Sequence, residues 1–306
     1  MKIAIVLCTF NRIDYLKIAL QKYENQTVKP DFMVIVNNAS TDGTKEYLDK
    51  WKESPSSIEK IIIHNKQNLG GSGGFSSGVE EALKLDCDYM FLADDDAFAE
   101  SEVLEEIHKA DTYLNEKKIK VAALCTAIYN GSDRELSHRC IVNQGLFNVK
   151  FDWVSQKEYS TKLFKVDIFT FVGACIKKSI VEKIGLPKTQ YFIYYDDAEY
   201  CMRIREHGDI YCVPSSIMHH DIGHDRRSSW KDYYDTRNWI DLVKTYFPQR
   251  YVWGAVVKMY IKRCSILAKI FRHRDRQHRY MCRVAIEDGI SGKLGIHEIY
   301  GPGSKI

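Results

Sequence analysis

Three consecutive carboxylates, Asp94, Asp95 and Asp96, follow the apolar run 89–93 in this chain of 306 residues. The run is typical of a buried strand, and because side chains alternate along a strand, Asp94 and Asp96 would point the same way. Two converging carboxylates repel each other unless a proton or a cation lies between them. Hard divalent cations such as Mg²⁺ are often held by one or two carboxylates together with substrate phosphates. The triplet therefore indicates a cation site, with a solvated acidic turn as the alternative.

A second acidic group, Asp196, Asp197 and Glu199, stands where the aromatic run 191–195 passes into a predicted helix. Acids in a first helical turn suit the helix dipole, and Asp196 could simply cap the helix. The functional alternative is that one of these carboxylates reaches into a cleft as a general base. The periodicity of the sequence is compatible with both interpretations.

Three histidines, His219, His220 and His224, follow a candidate strand at 210–213. No HExxH motif and no neighbouring Cys pair indicates a zinc site. A histidine that joins two Asp residues fits an ion resembling Mn²⁺, which tolerates imidazole better than Mg²⁺ does. An unremarkable surface position is the alternative.

The segment 68–75 contains four glycines, at positions 70, 71, 73 and 74, between a predicted strand and a predicted helix. Glycine permits close backbone approach, and the N-terminus of a helix favours anions. The segment matches neither the Walker loop nor the dinucleotide-binding fingerprint. We predict a glycine-rich loop facing a phosphate, with a merely flexible turn as the alternative.

The elements that must position these groups alternate between strand and helix in the first half of the chain. The candidate strands are 3–8, 32–36, 61–63 and 89–93, and the candidate helices are 14–24, 44–51 and 76–85. Such alternation predicts an α/β fold with a mostly parallel sheet and right-handed crossovers. In such sheets ligands bind beyond the carboxyl ends of the strands. The loops that carry the acidic and glycine-rich motifs all follow strands. We therefore expect them to lie together along the edge formed by the carboxyl ends of the strands, which we call the rim.

The second half of the chain is less regular. Its candidate strands are 121–126, 165–172 and 210–213, and its candidate helices are 178–184 and 196–207. Beyond residue 230 the pattern becomes helical and basic. We therefore predict one α/β domain over 1–230 and a basic helical region over 231–306.

Composition narrows the class of protein. A formal charge of +3 is too small to argue for nucleic acid, and no nucleic-acid partner is expected. The nine cysteines are scattered and form no CxxC pair, which is typical of reduced core residues in a cytoplasmic protein. No apolar run reaches the length of a membrane span.

The average charge hides a basic segment. Residues 258–283 contain nine Lys or Arg and one acid, Asp275, interleaved with apolar residues. A solvated helix face is the default interpretation. The sharper one is contact with an anionic membrane surface through residues 251–283, and RNA binding is a weaker alternative.

Taken in order, these motifs resemble those of a family 2 glycosyltransferase with the GT-A fold. The resemblance is carried by residues 5–12, 36–44, 68–75, 94–96, 196–199, 233–238 and 285–295. Each motif is weak alone, but their order and spacing together are specific. Segments 70–75 and 195–199 look most like the galactofuranosyltransferases, with the rhamnosyltransferases as the runner-up.

The resemblance implies a role for each group of residues. Asp94 and Asp96 would hold Mn²⁺ or Mg²⁺ together with His220, or with His219 if the register slips by one. Asp197 would be the catalytic base, and Asp196 and Glu199 would support it or contact the acceptor. The nucleotide-sugar pocket would be lined by Thr9, Asn11, Arg12, Asn37, Asn38, Asn68, Gly70, Gly71, Gly74, Asp94 and Asp95. The pair Asn37 and Asn38 departs from the commoner family pattern, which carries an Asp there.

The implied reaction is an inverting, metal-dependent transfer of a sugar, best assigned as galactofuranose from UDP-galactofuranose. The acceptor would be a hydroxyl of a cell-surface glycan or of a lipid-linked glycan, at the inner face of a bacterial plasma membrane. A rhamnosyltransferase that uses dTDP-rhamnose is the nearest alternative. An alternative of another class is a non-catalytic GT-A-like protein that binds glycan or a membrane partner.

Overall fold

The computed structural model of the chain describes residues 1–221, 230–265 and 275–304. Its strands are β1 (Ile3–Thr9), β2 (Phe32–Asn37), β3 (Glu59–His64), β4 (Tyr89–Asp94), β5 (Ala97–Ala99), β6 (Val121–Asn130), β7 (Asp133–Arg134), β8 (Arg139–Gln144), β9 (Val149–Trp153), β10 (Phe164–Val166), β11 (Ile168–Phe169), β12 (Ala174–Lys177) and β13 (Asp209–His220).

The α-helices are α1 (Ile13–Glu24), α2 (Thr44–Glu53), α3 (Gly70–Ala82), α4 (Val103–Glu116), α5 (Lys178–Ile184), α6 (Asp196–Ile204), α7 (Lys231–Tyr246), α8 (Gln249–Met259) and α9 (Arg276–Ser291). Short 3₁₀ turns cover Leu136–His138, Glu158–Ser160 and Thr189–Tyr191, and a π-helical turn over Tyr260–Cys264 continues α8. His224 and the part of the basic segment at 266–274 lie outside the described residues.

The main sheet has the strand order β10-β13-β6-β12-β4-β1-β2-β3, with β5 paired to β13 and β7 paired to β6. Strands β4, β1, β2 and β3 run parallel to one another, as do β6 and β13. Strand β12 runs antiparallel between β4 and β6. Helices cover both faces of the sheet, so the predicted α/β class is confirmed, and the sheet is mixed because of β12 and the edge strands.

Alternate residues of β1 serve two cores. Ala4 and Val6 pack with Val79 of α3, whereas Ile5 and Leu7 pack with the other core cluster, which includes Leu16 of α1. Both sets are buried, which explains why β1 reads as a continuous apolar run. The result is a three-layer arrangement in which the carboxyl ends of β1 and β4 lie side by side.

The glycine-rich segment corrects one prediction. Helix α3 begins at Gly70, so the segment is the first turns of a helix and not a loop before a helix starting at residue 76. A Cβ at Gly74 would collide with Cys8 Sγ, and a Cβ at Gly78 would collide with Val6 Cγ1. Glycine lowers helix propensity, but here its missing side chain lets α3 lie directly on β1. Tertiary packing therefore overrides the local preference.

Two strand predictions in the second half are also corrected. The segment 165–172 forms two short strands, and β10 joins the main sheet whereas β11 joins a separate sheet of order β11-β8-β9. The strand predicted at 210–213 continues to His220, across an irregularity in register between Val213 and Ile217. This extension carries the histidines to the rim of the sheet.

The C-terminal helices share the core of the sheet domain. Tyr233, Tyr234 and Trp239 of α7 belong to the same cluster of buried residues as Phe75 of α3. Residues of both predicted regions, 1–230 and 231–306, therefore pack in one core. None of the helices in the described ranges combines the length and the apolar character needed to cross a membrane.

Candidate active site

The acidic triplet lies beside the end of the first strand. Strands β1 and β4 are parallel neighbours, and Cys8 is paired in register with Asp94. Because carboxyl ends of parallel strands meet at one edge, residues 94–96 lie next to residues 9–12. The rim predicted from the sequence is therefore present, and it gathers the triplet, Thr9 and Arg12.

Asp94, Asp96 and His220 form a cluster that could hold a metal ion. One ligand atom from each residue lies within 4.8 Å of the others, and His220 Nε2 is 3.3 Å from Asp96 Oδ1. His219 lies on the opposite side of β13, where its Nε2 is 2.8 Å from Glu100 Oε1. Alternation along the strand thus brings His220, and not His219, to the acids.

The electrostatics of the cluster favour a cation. Burial, followed by the negative charges of Asp96 and Asp95, raises the pKa of Asp94 to about 7. Burial also acts against charge on Asp96, but its hydrogen bond to His220 and the nearby Arg12 lower its pKa overall. Two carboxylates and one imidazole in a partly buried site fit Mn²⁺ or Mg²⁺, because a bound cation relieves the repulsion that raises the pKa of Asp94.

His220 is held from its other side by His138. The Nδ1 atom of His220 lies 3.4 Å from His138 Nε2, and His138 Nδ1 lies 2.6 Å from Thr170 Oγ1. Burial, together with Arg139 and His220, lowers the pKa of His138 well below its usual range, so it is neutral. A neutral His138 can accept the Nδ1 proton of His220, which leaves His220 Nε2 free for a metal.

Asp95 is turned away from the metal cluster. Its carboxylate accepts a hydrogen bond of 2.6 Å from the Thr9 hydroxyl and lies 3.2 Å from Arg12 Nη1. The same Arg12 nitrogen also contacts Asp96. The Arg12 side chain is half exposed, so its positive charge is available at the rim.

The predicted asparagines form an internal hydrogen-bond network. Asn38 donates to Asn68 Oδ1 at 3.1 Å and to the Gly70 carbonyl at 2.9 Å, and its own Oδ1 accepts from Leu69 N–H at 3.1 Å. Asn37 Nδ2 lies 3.2 Å from His64 Nδ1. Both side chains are buried. Asn37 and Asn38 therefore shape the loops around the rim.

The remaining predicted pocket residues border the same rim. Asn11 Oδ1 accepts from Thr41 N–H at 2.7 Å, and this contact ties the loop after β1 to the loop after β2. Gly70 has a φ of +72° and lies against the Phe192 carbonyl, where no Cβ would fit. Gly71 is exposed, whereas Gly74 is buried against Cys8. The glycines therefore serve close packing at the start of α3.

Asp197 opens into a separate cleft. This cleft has a volume of about 690 Å³ and is lined by residues of the hairpin β8–β9, α6, α7 and α8. Its aromatic walls are Phe151, Trp153, Tyr194, Tyr195 and Trp239, and its cationic residues are Lys150, Lys258 and Lys262. Aromatic rings beside charged side chains can contact a ligand that has both apolar and polar surfaces.

The Asp197 carboxylate is tuned near neutrality. Burial raises its pKa to about 6, while backbone N–H groups, including that of Ala198 at 2.6 Å, and the charge of Arg139 act in the opposite direction. Arg139 is fully buried and donates hydrogen bonds to the carbonyl groups of Thr126 and Val172. Asp197 is thus mostly ionised at neutral pH yet basic enough to accept a proton.

Asp196 and Glu199, which are close to Asp197 in sequence, have different surroundings from Asp197. Asp196 is buried close to Asp94 and Cys8, and burial followed by the charge of Asp197 raises its pKa well above the usual range. Glu199 accepts hydrogen bonds from Arg203 at 2.7 Å and from the Tyr246 hydroxyl at 2.8 Å. Glu199 does not line the cleft around Asp197 but a different pocket, beside Leu186 and Gln190.

The turn before α6 is strained and held from α7. Phe192, Tyr194 and Tyr195 all have φ near +65°, a conformation that costs free energy for residues other than glycine. Asn238 Nδ2 lies 2.9 Å from the carbonyl oxygens of residues 191, 193 and 194. Asn238 therefore sets the direction in which the following residues, Asp196 and Asp197, leave the turn.

Sequence reasoning missed His138, Arg139 and the aromatic hairpin. His138 and Arg139 stand 42 and 43 positions after Asp96, in a segment without a recognisable spacing. Long-range contacts bring them to the site: β8 pairs with β11, and Arg139 donates hydrogen bonds to the carbonyl groups of Thr126 and Val172. Asn238 lies in a segment that the resemblance had marked, 233–238, without a role.

The chain matches the model of glycosyl transferase family 2 over residues 4–185. The galactofuranosyltransferase GlfT2 of Mycolicibacterium smegmatis is 27% identical over 266 residues, which cover 77% of this chain and 40% of that protein. The galactofuranosyltransferase GlfT1 of the same organism is 25% identical and covers 70% of this chain and 69% of its own length. The dTDP-rhamnosyl transferase RfbF of Shigella flexneri is 24% identical over 63% of this chain and 60% of its own.

Solved structures share the fold. GalNAc-T7, in a crystal structure with UDP, GalNAc and Mn²⁺, superposes with a TM-score of 0.63 at 15% identity over 94% of this chain and 55% of that one. TarS of S. aureus in complex with UDP-GlcNAc gives a TM-score of 0.61 at 12% identity over 95% and 81%. These similarities confirm the predicted fold and the resemblance to galactofuranosyltransferases. The chain belongs to glycosyl transferase family 2 and is a glycosyltransferase with the GT-A fold.

Proposed function

We propose that the enzyme transfers a sugar from a nucleotide diphosphate donor to a glycan hydroxyl, with inversion at the anomeric carbon. The observation that carries this proposal is the divergence of Asp196 and Asp197 at the start of α6. Asp196 lies close enough to Asp94 of the rim for their charges to interact, and Asp197 lines the aromatic cleft. One helix turn thus joins a cation site to a carboxylate on the acceptor side.

We assign the donor site from the charges that would balance a diphosphate. Asp94, Asp96 and His220 would hold Mn²⁺ or Mg²⁺, which supplies positive charge against the diphosphate as it leaves. Arg12, half exposed at the same rim, adds a second positive charge for the phosphates. GalNAc-T7 binds UDP with Mn²⁺, which supports a metal-dependent donor site here.

We assign the acceptor site from Asp197, whose ionised carboxylate can accept a proton. Its carboxylate accepts the proton of the acceptor hydroxyl while the hydroxyl oxygen forms a bond to the anomeric carbon and the bond to the diphosphate breaks. The nucleotide diphosphate departs with the bonding electron pair, and this single displacement inverts the configuration. No second carboxylic acid is needed, since the diphosphate is a good leaving group.

We infer that the donor is UDP-galactofuranose, because two galactofuranosyltransferases match most of the chain. The rhamnosyl transferase RfbF makes dTDP-rhamnose the second candidate. The acceptor would be a cell-surface glycan or its lipid-linked precursor, at the cytoplasmic face of the membrane. The aromatic lining of the cleft supports a sugar acceptor, since aromatic rings pack against the apolar faces of sugar rings.

Donor hydrolysis in the absence of acceptor tests this assignment. The enzyme would be incubated with UDP-galactofuranose, UDP-hexopyranoses or dTDP-rhamnose, with Mn²⁺ and with chelator, and release of the nucleotide diphosphate measured. We expect Mn²⁺-dependent release from UDP-galactofuranose above that from the other donors. Faster release from dTDP-rhamnose would transfer the assignment to a rhamnosyltransferase.

Calorimetry separates catalysis from a purely binding role. If the site is catalytic, UDP should bind and Mn²⁺ should strengthen its binding. In Asp96→Asn, Mn²⁺ should no longer strengthen the binding of UDP. A non-catalytic GT-A-like protein predicts that neither UDP nor Mn²⁺ binds. Absence of binding together with absence of hydrolysis would overturn the proposed function.

A further inference from the structure

The hairpin between β8 and β9 presents two large apolar side chains at its tip. Leu146 is 78% exposed and Phe147 is 58% exposed. The turn that carries them is closed by a hydrogen bond of 2.9 Å from Gly145 N–H to the Asn148 carbonyl. Turns usually carry polar residues, and adjacent exposed apolar residues indicate a surface that contacts something other than water.

The tip lies directly on helix α8. A Cβ at Gly254 would collide with the carbonyl oxygen of Phe147, so the absent side chain allows the hairpin to lie against the helix. Trp253 and Val257 flank this glycine four positions apart, on one face of α8, and are 61% and 54% exposed. Tyr260 and Ile261 continue the exposed apolar residues into the π-helical turn. We call Leu146, Phe147, Trp253, Val257, Tyr260 and Ile261 the apolar ridge.

Cations border the apolar ridge. Residues 249–265 include four Lys or Arg and no Asp or Glu, and of the four cations Arg263 is buried and paired with Asp232 and Asp235. Within the described ranges, Lys150 of β9 and Lys258 of α8 form no ion pair. Arg283 of α9 packs over the Tyr260 ring, with 5.8 Å between its Cζ and the ring centroid. Apolar side chains flanked by cations are complementary to a lipid surface with anionic headgroups.

We propose that the apolar ridge seats the enzyme on an anionic lipid bilayer, with Leu146 and Phe147 inserted at the boundary between headgroups and acyl chains. A second copy of the chain fits less well, because a symmetric contact through the ridge would bring the same cations of both copies together. The long stems of Lys150 and Lys258 can instead lie along the ridge while their ammonium groups reach lipid phosphates.

This seating would also orient the cleft. Lys150 and Trp153 of β9 and Lys258 of α8 line the cleft around Asp197, and the ridge is formed by the turn just before β9 and by α8 with the π-helical turn that follows it. The mouth of the cleft would then open beside the bilayer, where a lipid-linked glycan presents its sugar. The inference rests on the proposed function only in this last point, the nature of the acceptor.

Vesicle flotation of the full chain tests the proposal without donor or acceptor. Vesicles of phosphatidylglycerol and phosphatidylcholine in equal parts should carry the wild-type protein upward. Leu146→Ser with Phe147→Ser should reduce the partition coefficient at least about tenfold, because two large apolar side chains leave the lipid. Trp253→Ser, on a separate element, should reduce it in the same direction. The matched control Ile18→Ser, which removes an aliphatic side chain 45% exposed on α1, should leave flotation unchanged.

The charge contribution is tested in the same assay. Vesicles of phosphatidylcholine alone should bind the wild-type protein more weakly, and Lys258→Gln should cost about fivefold on the anionic vesicles. Equal binding to both vesicle types would overturn the charge argument. Flotation of the hairpin double variant at the wild-type level would overturn the assignment of the ridge.

Two further outcomes distinguish the alternatives. If the ridge instead covers a second copy of the chain, sedimentation would show a wild-type dimer that the hairpin double variant breaks, with no vesicle binding. The double variant should retain metal-dependent donor hydrolysis in solution, since Leu146 and Phe147 do not line the cleft. Hydrolysis without flotation would refute the membrane surface alone, and flotation without hydrolysis would refute the proposed function alone.

Discussion

The proposed donor rim and the proposed acceptor cleft of this glycosyltransferase are built in opposite ways. At the rim, buried polar groups at the ends of long strands hold one another, as Thr9 holds Asp95 at 2.6 Å and His138 lies 3.4 Å from His220. The cleft is lined by a short three-stranded sheet and by helices. One of its aromatic residues, Trp153, is 65% exposed. Electrostatic catalysis requires charges that are fixed before the substrate arrives, whereas recognition of a glycan uses exposed aromatic surface.

The difference implies that the two functions can be separated by mutation. Changes at the rim should act on metal and nucleotide, and changes in the cleft should act on the acceptor. Asp197 links the two sites, because it lines the cleft but, in the proposed mechanism, would act on the same bond as the donor site.

The largest effect is expected from Asp197→Asn. The amide cannot accept the proton, so transfer should fall by about 10²- to 10⁴-fold, while UDP and Mn²⁺ bind as in the wild type. Steady-state transfer and calorimetry measure the two quantities. Asp152→Asn, which changes another carboxylate of the cleft, should lose much less. Retention of turnover in Asp197→Asn would show that the base lies elsewhere.

The next largest effect is expected for the metal cluster. His220→Gln should weaken Mn²⁺ binding by about 100-fold or more, since loss of a ligand exceeds the usual effect of an outer-sphere residue. His219→Gln is the matched control, because that side chain faces Glu100 and should leave Mn²⁺ affinity unchanged. Paramagnetic titration of free Mn²⁺ measures both. Equal losses in the two variants would contradict the assignment of His220.

His138→Phe probes the residue behind the metal cluster. Loss of the partner of His220 Nδ1 should weaken Mn²⁺ binding by about 10- to 100-fold, and excess Mn²⁺ should restore the transfer rate. This rescue distinguishes a positioning residue from a residue needed for folding. A variant that Mn²⁺ fails to rescue, with an unchanged melting temperature, would argue against positioning.

The pH dependence of transfer probes Asp197 directly. The base works in its ionised form, and burial raises its pKa from 3.8 to about 6. The rate at saturating donor and Mn²⁺ should therefore decline as the pH falls below about 6, by about tenfold for each further unit. Saturating metal keeps Asp94 and Asp96 ligated, so their protonation does not contribute. A rate that stays constant down to the ordinary pKa of aspartate would refute this tuning.

The smallest effect is expected from Trp153→Ala. Removing one exposed aromatic wall should raise the acceptor KM by about two- to tenfold, with the donor KM unchanged. Initial rates over a matrix of donor and acceptor concentrations separate the two constants. A rise in the donor KM instead would place the donor, not the acceptor, in this cleft and would undo the contrast between the two regions.

Much of the first half of the fold could be read from the residues. Apolar runs such as 3–8 and 89–93 mark buried parallel strands, and the helices between them follow from helical spacing. The start of α3 could not be read in this way, because four glycines in five positions disfavour a helix locally. The close approach of Gly74 to Cys8 reverses that preference, and such an approach involves residues 66 positions apart.

The sequence by itself determined the fold class and, through the order of its motifs, the resemblance to the family. Carboxylates and histidines at strand ends are readable as types and spacings, so Asp94, Asp96 and one of His219 and His220 were candidate ligands, whereas Asp197 was the candidate base through the resemblance. Only the tertiary structure decided between His219 and His220, because the choice depends on which face of β13 meets the acids. It also decided that His138 supports His220 and that Asp196 and Asp197 face different sites. These pairings are long-range, and no local pattern encodes them.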